Sequence, residues 1–327
     1  MNKNNLFIYL FLGVVLYILF TRILYNKLYN FTTLPLYPPS DTNIKVQNIT
    51  NYLTHCIENK IPVSFSKYGD GEYFAVTDKD GANCDNDKYT KKLKDNLIES
   101  FKYIVKNNNN TYIGFWFNTE YANFWKNLVD NHHINWANYH TIIMDGENQS
   151  DKVNLYKKIR FSNLKKIIVC NPLLIKSKIL FNIDHVIHIS INNWFDTQYE
   201  NILGQIRDIM NNTDEQFIVI TACGMGAKVL ISNLVKSNPN NIYLDFGSAI
   251  DKLCTKRNTR GGGLPYDQLL VDLKEIIPDN WNDSKYDYIY EESKDKLGTH
   301  ISKELFNISK SIECNLRYYG KIINKYI

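Results

Sequence analysis

From residue 44 onward, short runs rich in Val, Ile, Phe and Tyr alternate with longer stretches whose apolar side chains recur every third or fourth position. The first rhythm marks strands and the second marks amphipathic helices. A helix over 44–60 leads into an apolar strand over 62–69. A helix over 89–106 then precedes a strand over 109–117, and a helix over 121–132 precedes a strand over 139–146. The alternation continues with helix 153–161, strand 164–172, helix 173–181, strand 185–191, helix 199–210, strand 216–223, helix 226–237 and strand 241–247. Several strand runs are apolar at consecutive positions, so both of their faces must be covered. The expectation is an α/β, Rossmann-like fold, a mostly parallel sheet with helices on both faces. Such sheets bind ligands beyond the carboxyl ends of their strands.

Ahead of this pattern lies an uncharged apolar run over 6–20, which reaches 25 if Arg22 snorkels to the headgroups. With that extension it approaches the roughly 20 residues that cross a bilayer, and no small-residue cleavage site follows it. It predicts an N-terminal transmembrane helix. The Pro-rich stretch over 32–42 predicts an extended stem. The expected organisation is a membrane anchor over 1–28, a stem over 29–45, the α/β domain over 46–290 and a helical segment over 291–327.

Composition narrows the chemistry. At 327 residues, 44% hydrophobic and 22% charged, the chain is globular rather than disordered. The formal charge of +4 is spread along the chain without a nucleic-acid-binding motif, so no nucleic-acid partner is expected. Six cysteines without a C-x-x-C pair argue against a zinc site of the usual spacing. Neither a G-x-S-x-G elbow nor a Walker A sequence occurs, and the acidic run near Asp78 and Asp85 lacks EF-hand spacing.

The unusual residues gather at strand ends. In "SFSKYGDGEYFAV", over 64–76, an extended backbone would turn Asp70 and Glu72 to the same side. Such an oxygen-only pair suits Mg²⁺ or Mn²⁺ shared with a diphosphate, and Gly69 and Gly71 allow close backbone approach. The same residues also fit a hairpin turn with solvated acids. A second cluster is Gly224-Met225-Gly226, between a strand and a helix, with Asp245 ending the next strand. That arrangement fits a phosphate-holding turn of the dinucleotide type, although Val229 stands at the third glycine position; it equally fits a plain tight turn. A third stretch runs from Asp245 through Ser248 and Asp251 to Lys256, Arg257 and Arg260, just before three glycines. A basic loop of this kind could close over an anion with bidentate arginine contacts. Trp116 and Asn118 lie at the end of the second strand run, where an indole either stacks on a sugar or joins the core.

The run "KYGDGEYFAV" resembles the signature of the GT-D type glycosyltransferases, in which an apolar strand leads to Arg, an aromatic residue and Gly-Asp-Gly-Glu. The later "ITACGMGAKVLISNLVK" and "YLDFGSAID" are similar to the family's Gly-containing turn, its Ala-Lys-x-Leu-like helix and its Asp-x-Gly strand end. Gly224, Gly226, Lys228, Asp245 and Gly247 match there. The resemblance spans 61–251, with Lys67 standing where the family has Arg, so a bidentate contact becomes a point charge. It implies a Rossmann-like fold that uses a nucleotide-diphosphate sugar, UDP-linked by expectation, together with Mn²⁺ or Mg²⁺. Asp70 and Glu72 would then be the metal and catalytic residues, and Lys67, Gly69, Gly71, Gly224, Gly226 and Asp245 would bind the donor. Arg260 or Arg257 would clamp the diphosphate and Trp116 would face the sugar. Asp251, Asp245 and Glu120 are the candidates for a general base, Asp251 being preferred.

The expected activity is metal-dependent transfer of a sugar to a glycan or glycoprotein acceptor. The layout resembles a single-pass, type II-like membrane enzyme of the secretory pathway or of a host-derived membrane. Two other readings remain open on the sequence. One is a Rossmann-type enzyme using a dinucleotide or S-adenosylmethionine, with Asp245 on the ribose. The other is a non-catalytic sugar- or nucleotide-binding module.

Overall fold

The computed structural model describes residues 46–78, 89–107, 110–115, 119–130, 132–139, 142, 149–190, 193–256 and 264–282. The chain divides into two units, Met1–Asn43 and Ile44–Ile327, and all described residues belong to the second.

Among the described residues, eight strands make one sheet: β1 (Val46–Gln47), β2 (Val63–Tyr68), β3 (Thr111–Phe115), β4 (Trp136–Asn138), β5 (Lys165–Cys170), β6 (His185–His188), β7 (Phe217–Ala222) and β8 (Ile242–Asp245). Their order is β1-β4-β3-β2-β8-β7-β5-β6, and every neighbouring pair is parallel. All carboxyl ends therefore share one edge. The helices are α1 (Ile49–Glu58), α2 (Asp70–Val76), α3 (Lys91–Asn107), α4 (Thr119–Asn127), α5 (Gln149–Phe161), α6 (Ser177–Phe181), α7 (Trp194–Thr197), α8 (Tyr199–Asn211), α9 (Gly226–Ser237), α10 (Asp251–Thr255) and α11 (Tyr266–Asp272).

The period-two alternation of strand side chains divides the core into two layers. Phe217 and Val219 of β7, Ile167 and Val169 of β5 and Tyr243 of β8 pack with Leu97 and Phe101 of α3, Trp125 of α4, Ile206 of α8 and Leu230 of α9. Ile218, Ile220, Ile168, Leu244 and Phe65 point the other way, onto Leu53 of α1, Leu155 of α5 and Leu253 of α10. Burial at every position of β7 is the structural form of its nearly continuous apolar run, while β2 buries Ser64, Ser66 and Lys67 as well as its apolar residues.

Local chemistry sets the element ends. The helix expected over 44–60 starts only at Ile49, because the Asn48 side chain caps it by accepting the Thr50 N–H. Val46 and Gln47 pair with β4 instead. The strand expected over 139–146 is displaced upstream: Trp136 and Ala137 pair with Ile113 and Gly114, and Tyr139 already accepts a turn bond from the Ile142 N–H. The anchor, the stem and the helical segment over 291–327 lie outside the described residues. Among the described residues, no helix is long and apolar enough to cross a membrane.

Gly114 lies where β3 runs under a ring. A Cβ placed there would sit 2.8 Å from two ring carbons of Phe65 and 3.1 Å from the Tyr139 Cβ. Gly114→Ala should therefore overpack the sheet and cost about 1–3 kcal/mol. A urea-unfolding midpoint equal to wild type, at unchanged m, would refute this.

Candidate active site

The edge where β2, β8 and β7 end carries the residues that the sequence singled out. Tyr68 is the last residue of β2, Gly69 is extended (φ −96°, ψ −158°), and a helix opens at Asp70. The strand reading of Asp70-Gly71-Glu72 is thereby corrected, and so is the hairpin reading. Both acids sit in the first turn of α2, where the helix dipole favours them. Two positions on a helix are about 200° apart, so they point in different directions. Asp70 is exposed, while Glu72 is only 4% exposed. Glu72 Oε2 accepts the Gly69 N–H at 2.8 Å, the backward reach of a capping box. Gly71 lies between the two acids, half-buried.

The other oxygen of Glu72 meets a residue from far along the chain. Lys228, in the first turn of α9, is 1% exposed, and its Nζ lies 2.9 Å from Glu72 Oε1 and 3.0 Å from Asp245 Oδ2. The same ammonium donates to the Gly224 carbonyl at 3.0 Å, across a turn in which Gly224 takes φ +67°. Asp245 is 1% exposed and accepts from the Lys67 backbone N–H at 2.9 Å and the Gly247 N–H at 3.2 Å. Residues from the β2–α2 turn, the β7–α9 turn and the end of β8 thus converge on one buried cation.

Electrostatics follow from that convergence. Burial alone would raise the Glu72 pKa, but Lys228, then Lys67, and the bonds from Lys228 and Gly69 outweigh it and hold the carboxyl below its ordinary value. Burial would likewise lower the Lys228 pKa. The Asp245 and Glu72 charges overcome it and hold the ammonium above its ordinary range.

The remaining candidates are dispersed around this centre. The Lys67 side chain is 9% exposed; its Nζ lies 5.6 Å from the Tyr139 ring centre, and a Cβ on Gly247 (φ +49°) would be 3.3 Å from it. Gly226 is used for packing: a Cβ there would fall 2.5 Å from Trp194 Cζ2 and 2.9 Å from Phe195 Cδ2. Trp194 is held there by its Nε1–H bond to the Cys223 carbonyl at 2.8 Å. Asp251 opens α10, half-buried, beyond the turn that follows β8. Trp116, Asn118, Arg257 and Arg260 lie outside the described residues.

Near Asp70 the structure adds residues that sequence reasoning did not single out. Tyr73 and Tyr121 stack with ring centres 4.1 Å apart, and the Tyr73 hydroxyl donates to Glu120, which is exposed at the start of α4. Burial, together with the Asp70 and Glu120 charges, pushes the Tyr121 phenol up to about 12. Strand-end position and aromatic content were the available signals for this group.

Whether the acids fit a divalent cation turns on Glu72. Both of its oxygens are engaged and an ammonium stands 2.9 Å away, so Asp70 and Glu72 do not fit one shared ion. Among the described residues, no cluster of three or more His, Cys, Asp or Glu side chains could hold one either. Asp70 alone fits the mode in which one carboxylate and substrate phosphates share a cation.

No protein-family model matches the chain, and no curated protein does. Solved structures similar to it include a domain of unknown function 1792 described as highly conserved and as having a distinct glycosyltransferase fold. Identity is 16%, with 63% of this chain and 79% of that one covered and a TM-score of 0.44. Another is described as a new glycosyltransferase of the same domain type from Streptococcus sanguinis, at 18% identity, 74% and 97% coverage and a TM-score of 0.45.

The buried pair makes stability depend on pH from both sides. The depressed Glu72 pKa gives stability that is present above its unfolded value of 4.5 and lost as pH falls through the lower folded value. The raised Lys228 pKa gives stability that is complete below its unfolded value of 10.5 and lost as pH climbs towards the folded one. Urea midpoints should decline below about pH 4.5 and above about pH 10.5. In Lys228→Met, which should cost about 3–5 kcal/mol at neutral pH, the alkaline limb should shrink. An unchanged alkaline limb would count against the pairing.

Proposed function

We propose that this chain is a glycosyltransferase that takes a sugar from a nucleotide-diphosphate donor, UDP-linked, and passes it to a glycan or glycoprotein acceptor. One observation carries the reading. The two blocks that resemble GT-D enzymes in sequence, 67–72 and 224–247, meet at Lys228 on the carboxyl edge of adjacent strands β2 and β8. That edge is where an α/β sheet holds its ligand.

In this reading Asp70, exposed on the edge, meets the donor, and Lys67 brings a positive charge towards the diphosphate. Mn²⁺ or Mg²⁺ arriving with the donor would neutralise charge on the departing diphosphate. Glu120 and Asp251 are the candidates to take the proton of the acceptor hydroxyl, Glu120 being the more exposed of the two. Trp116 and Arg260 are proposed for the sugar and the diphosphate, and the segment over 1–28 is proposed as a single-pass membrane anchor.

The dinucleotide and S-adenosylmethionine reading fares worse on geometry. It needs Asp245 for ribose hydroxyls, yet that carboxylate is buried and already accepts from Lys67, Gly247 and Lys228. It also needs open space above Gly226, where Trp194 packs.

A thermal-shift screen decides between them. UDP or a UDP-sugar, with Mn²⁺ present, should raise the unfolding temperature, as any ligand selective for the folded state does. Asp70→Asn should remove that rise while lowering the starting temperature only slightly, by the loss of its favourable place at the α2 N-terminus. Stabilisation by NAD or S-adenosylmethionine, with none by nucleotide sugars, would overturn the proposal.

A further inference from the structure

The Asp-x-Glu pair does two different jobs in this chain. We infer that Glu72 is a positioning residue, latched to Lys228, which sets the Gly69–Asp70 turn and leaves Asp70 as the one carboxylate of the pair that meets the donor and its cation. The inference rests on the donor reading above and divides the work within that site.

Three features support it. The helical start of α2 separates the two side chains, exposing one and burying the other. Each oxygen of Glu72 has a short partner, Lys228 Nζ at 2.9 Å and the Gly69 N–H at 2.8 Å. A divalent ion on Glu72 would therefore have to displace an ammonium that is 1% exposed and is also held by Asp245 and the Gly224 carbonyl. Displacing it would leave a buried cation without one of its two counter-charges, a costly state.

The latch also explains why so short a helix starts where it does. Glu72 holds the amide of Gly69, and Gly69 immediately precedes Asp70. Any tilt of the Glu72 carboxylate is passed to the backbone that carries Asp70. Lys228 fixes that carboxylate against the ends of β7 and β8, so the Asp70 position is referred to the centre of the sheet.

Mn²⁺ binding in the presence of UDP, followed by electron paramagnetic resonance, separates the roles. Asp70→Asn should weaken Mn²⁺ at least tenfold while lowering the urea midpoint far less than Glu72→Gln does. Glu72→Gln should lower the midpoint with no metal or nucleotide present, yet change Mn²⁺ affinity less than fivefold. Its turnover should drop at least tenfold with the donor KM within threefold, the pattern of a misplaced group rather than a lost ligand. A loss of Mn²⁺ affinity in Glu72→Gln equal to that in Asp70→Asn overturns the inference.

If Glu72→Gln does not fold, the wild-type protein still answers. The Gly69 amide proton should keep its hydrogen-bonded NMR shift when Mg²⁺ and UDP are added, and an upfield move, showing Glu72 released to the ion, overturns the latch. A wild-type protein that binds no UDP would instead overturn the donor reading. The latch is then decided without ligand, by Glu72→Gln and Lys228→Met. Their midpoint losses should fall short of adding in the double variant, and full additivity refutes the contact.

Discussion

An ammonium group with almost no access to water is a constraint that a fold must satisfy before anything else. Lys228 meets it with two carboxylates and a carbonyl, each from a different segment. The arrangement reaches further than one residue. Residue pairing between β2 and β8 runs only as far as Phe65 and Leu244, and beyond it the Asp245 carboxylate accepts the Lys67 N–H as a substitute rung. The two central strands are thus joined at their carboxyl ends through a side chain that is itself held by Lys228. Removing one charge from such a set leaves the others buried without compensation, so the members stand or fall together.

That dependence shapes the candidate site by deciding which polar groups face outward. Glu72 and Asp245 are turned inward by the cation, and Gly226 is closed by Trp194. What stays on the surface of the edge is Asp70, with Glu120 and the half-buried Tyr121 beside it, Tyr121 stacked on the buried Tyr73. Lys67 reaches the edge from the other layer of the sheet, where Phe65 and Tyr139 pack, so its charge and the Lys228 charge flank the strand ends from opposite faces. A charged residue from each layer at one strand end is an economical way to present charge without opening the core.

Much of the architecture was legible in the residues. The bounds of α9 coincide with the periodic run over 226–237, and β5, β7 and β8 lie inside their apolar runs, because both signals are long and bounded by Gly, Asn or Pro. The β4 region misled because the apolar run after Tyr139 outweighs the modest "WAN" that actually pairs with β3. Asp70 misled for a related reason: seven residues of α2 are too few to show a helical period against the strand before them. The pairing of Lys228 left a trace that could have been followed. Its helix is apolar on nearly every side, such helices are buried, and a lysine buried inside one needs a counter-charge.

If the proposed donor binds at this edge, the charge there bears on the form in which it would arrive. Inside, Lys67 and Lys228 are matched by Glu72 and Asp245, so the buried set is close to neutral and adds little long-range field. Among the described residues, Asp70 and Glu120 are acids exposed beside the strand ends, Glu120 also accepting the Tyr73 hydroxyl. These two acids would repel a bare diphosphate, and the Lys67 charge, shared with Glu72, would offset part of that repulsion. A diphosphate that carries its own divalent cation reverses the sign of the encounter, since Asp70 becomes an attractive contact. Under the proposed donor reading, the same exposed acid would therefore favour a diphosphate that arrives paired with metal over a free one.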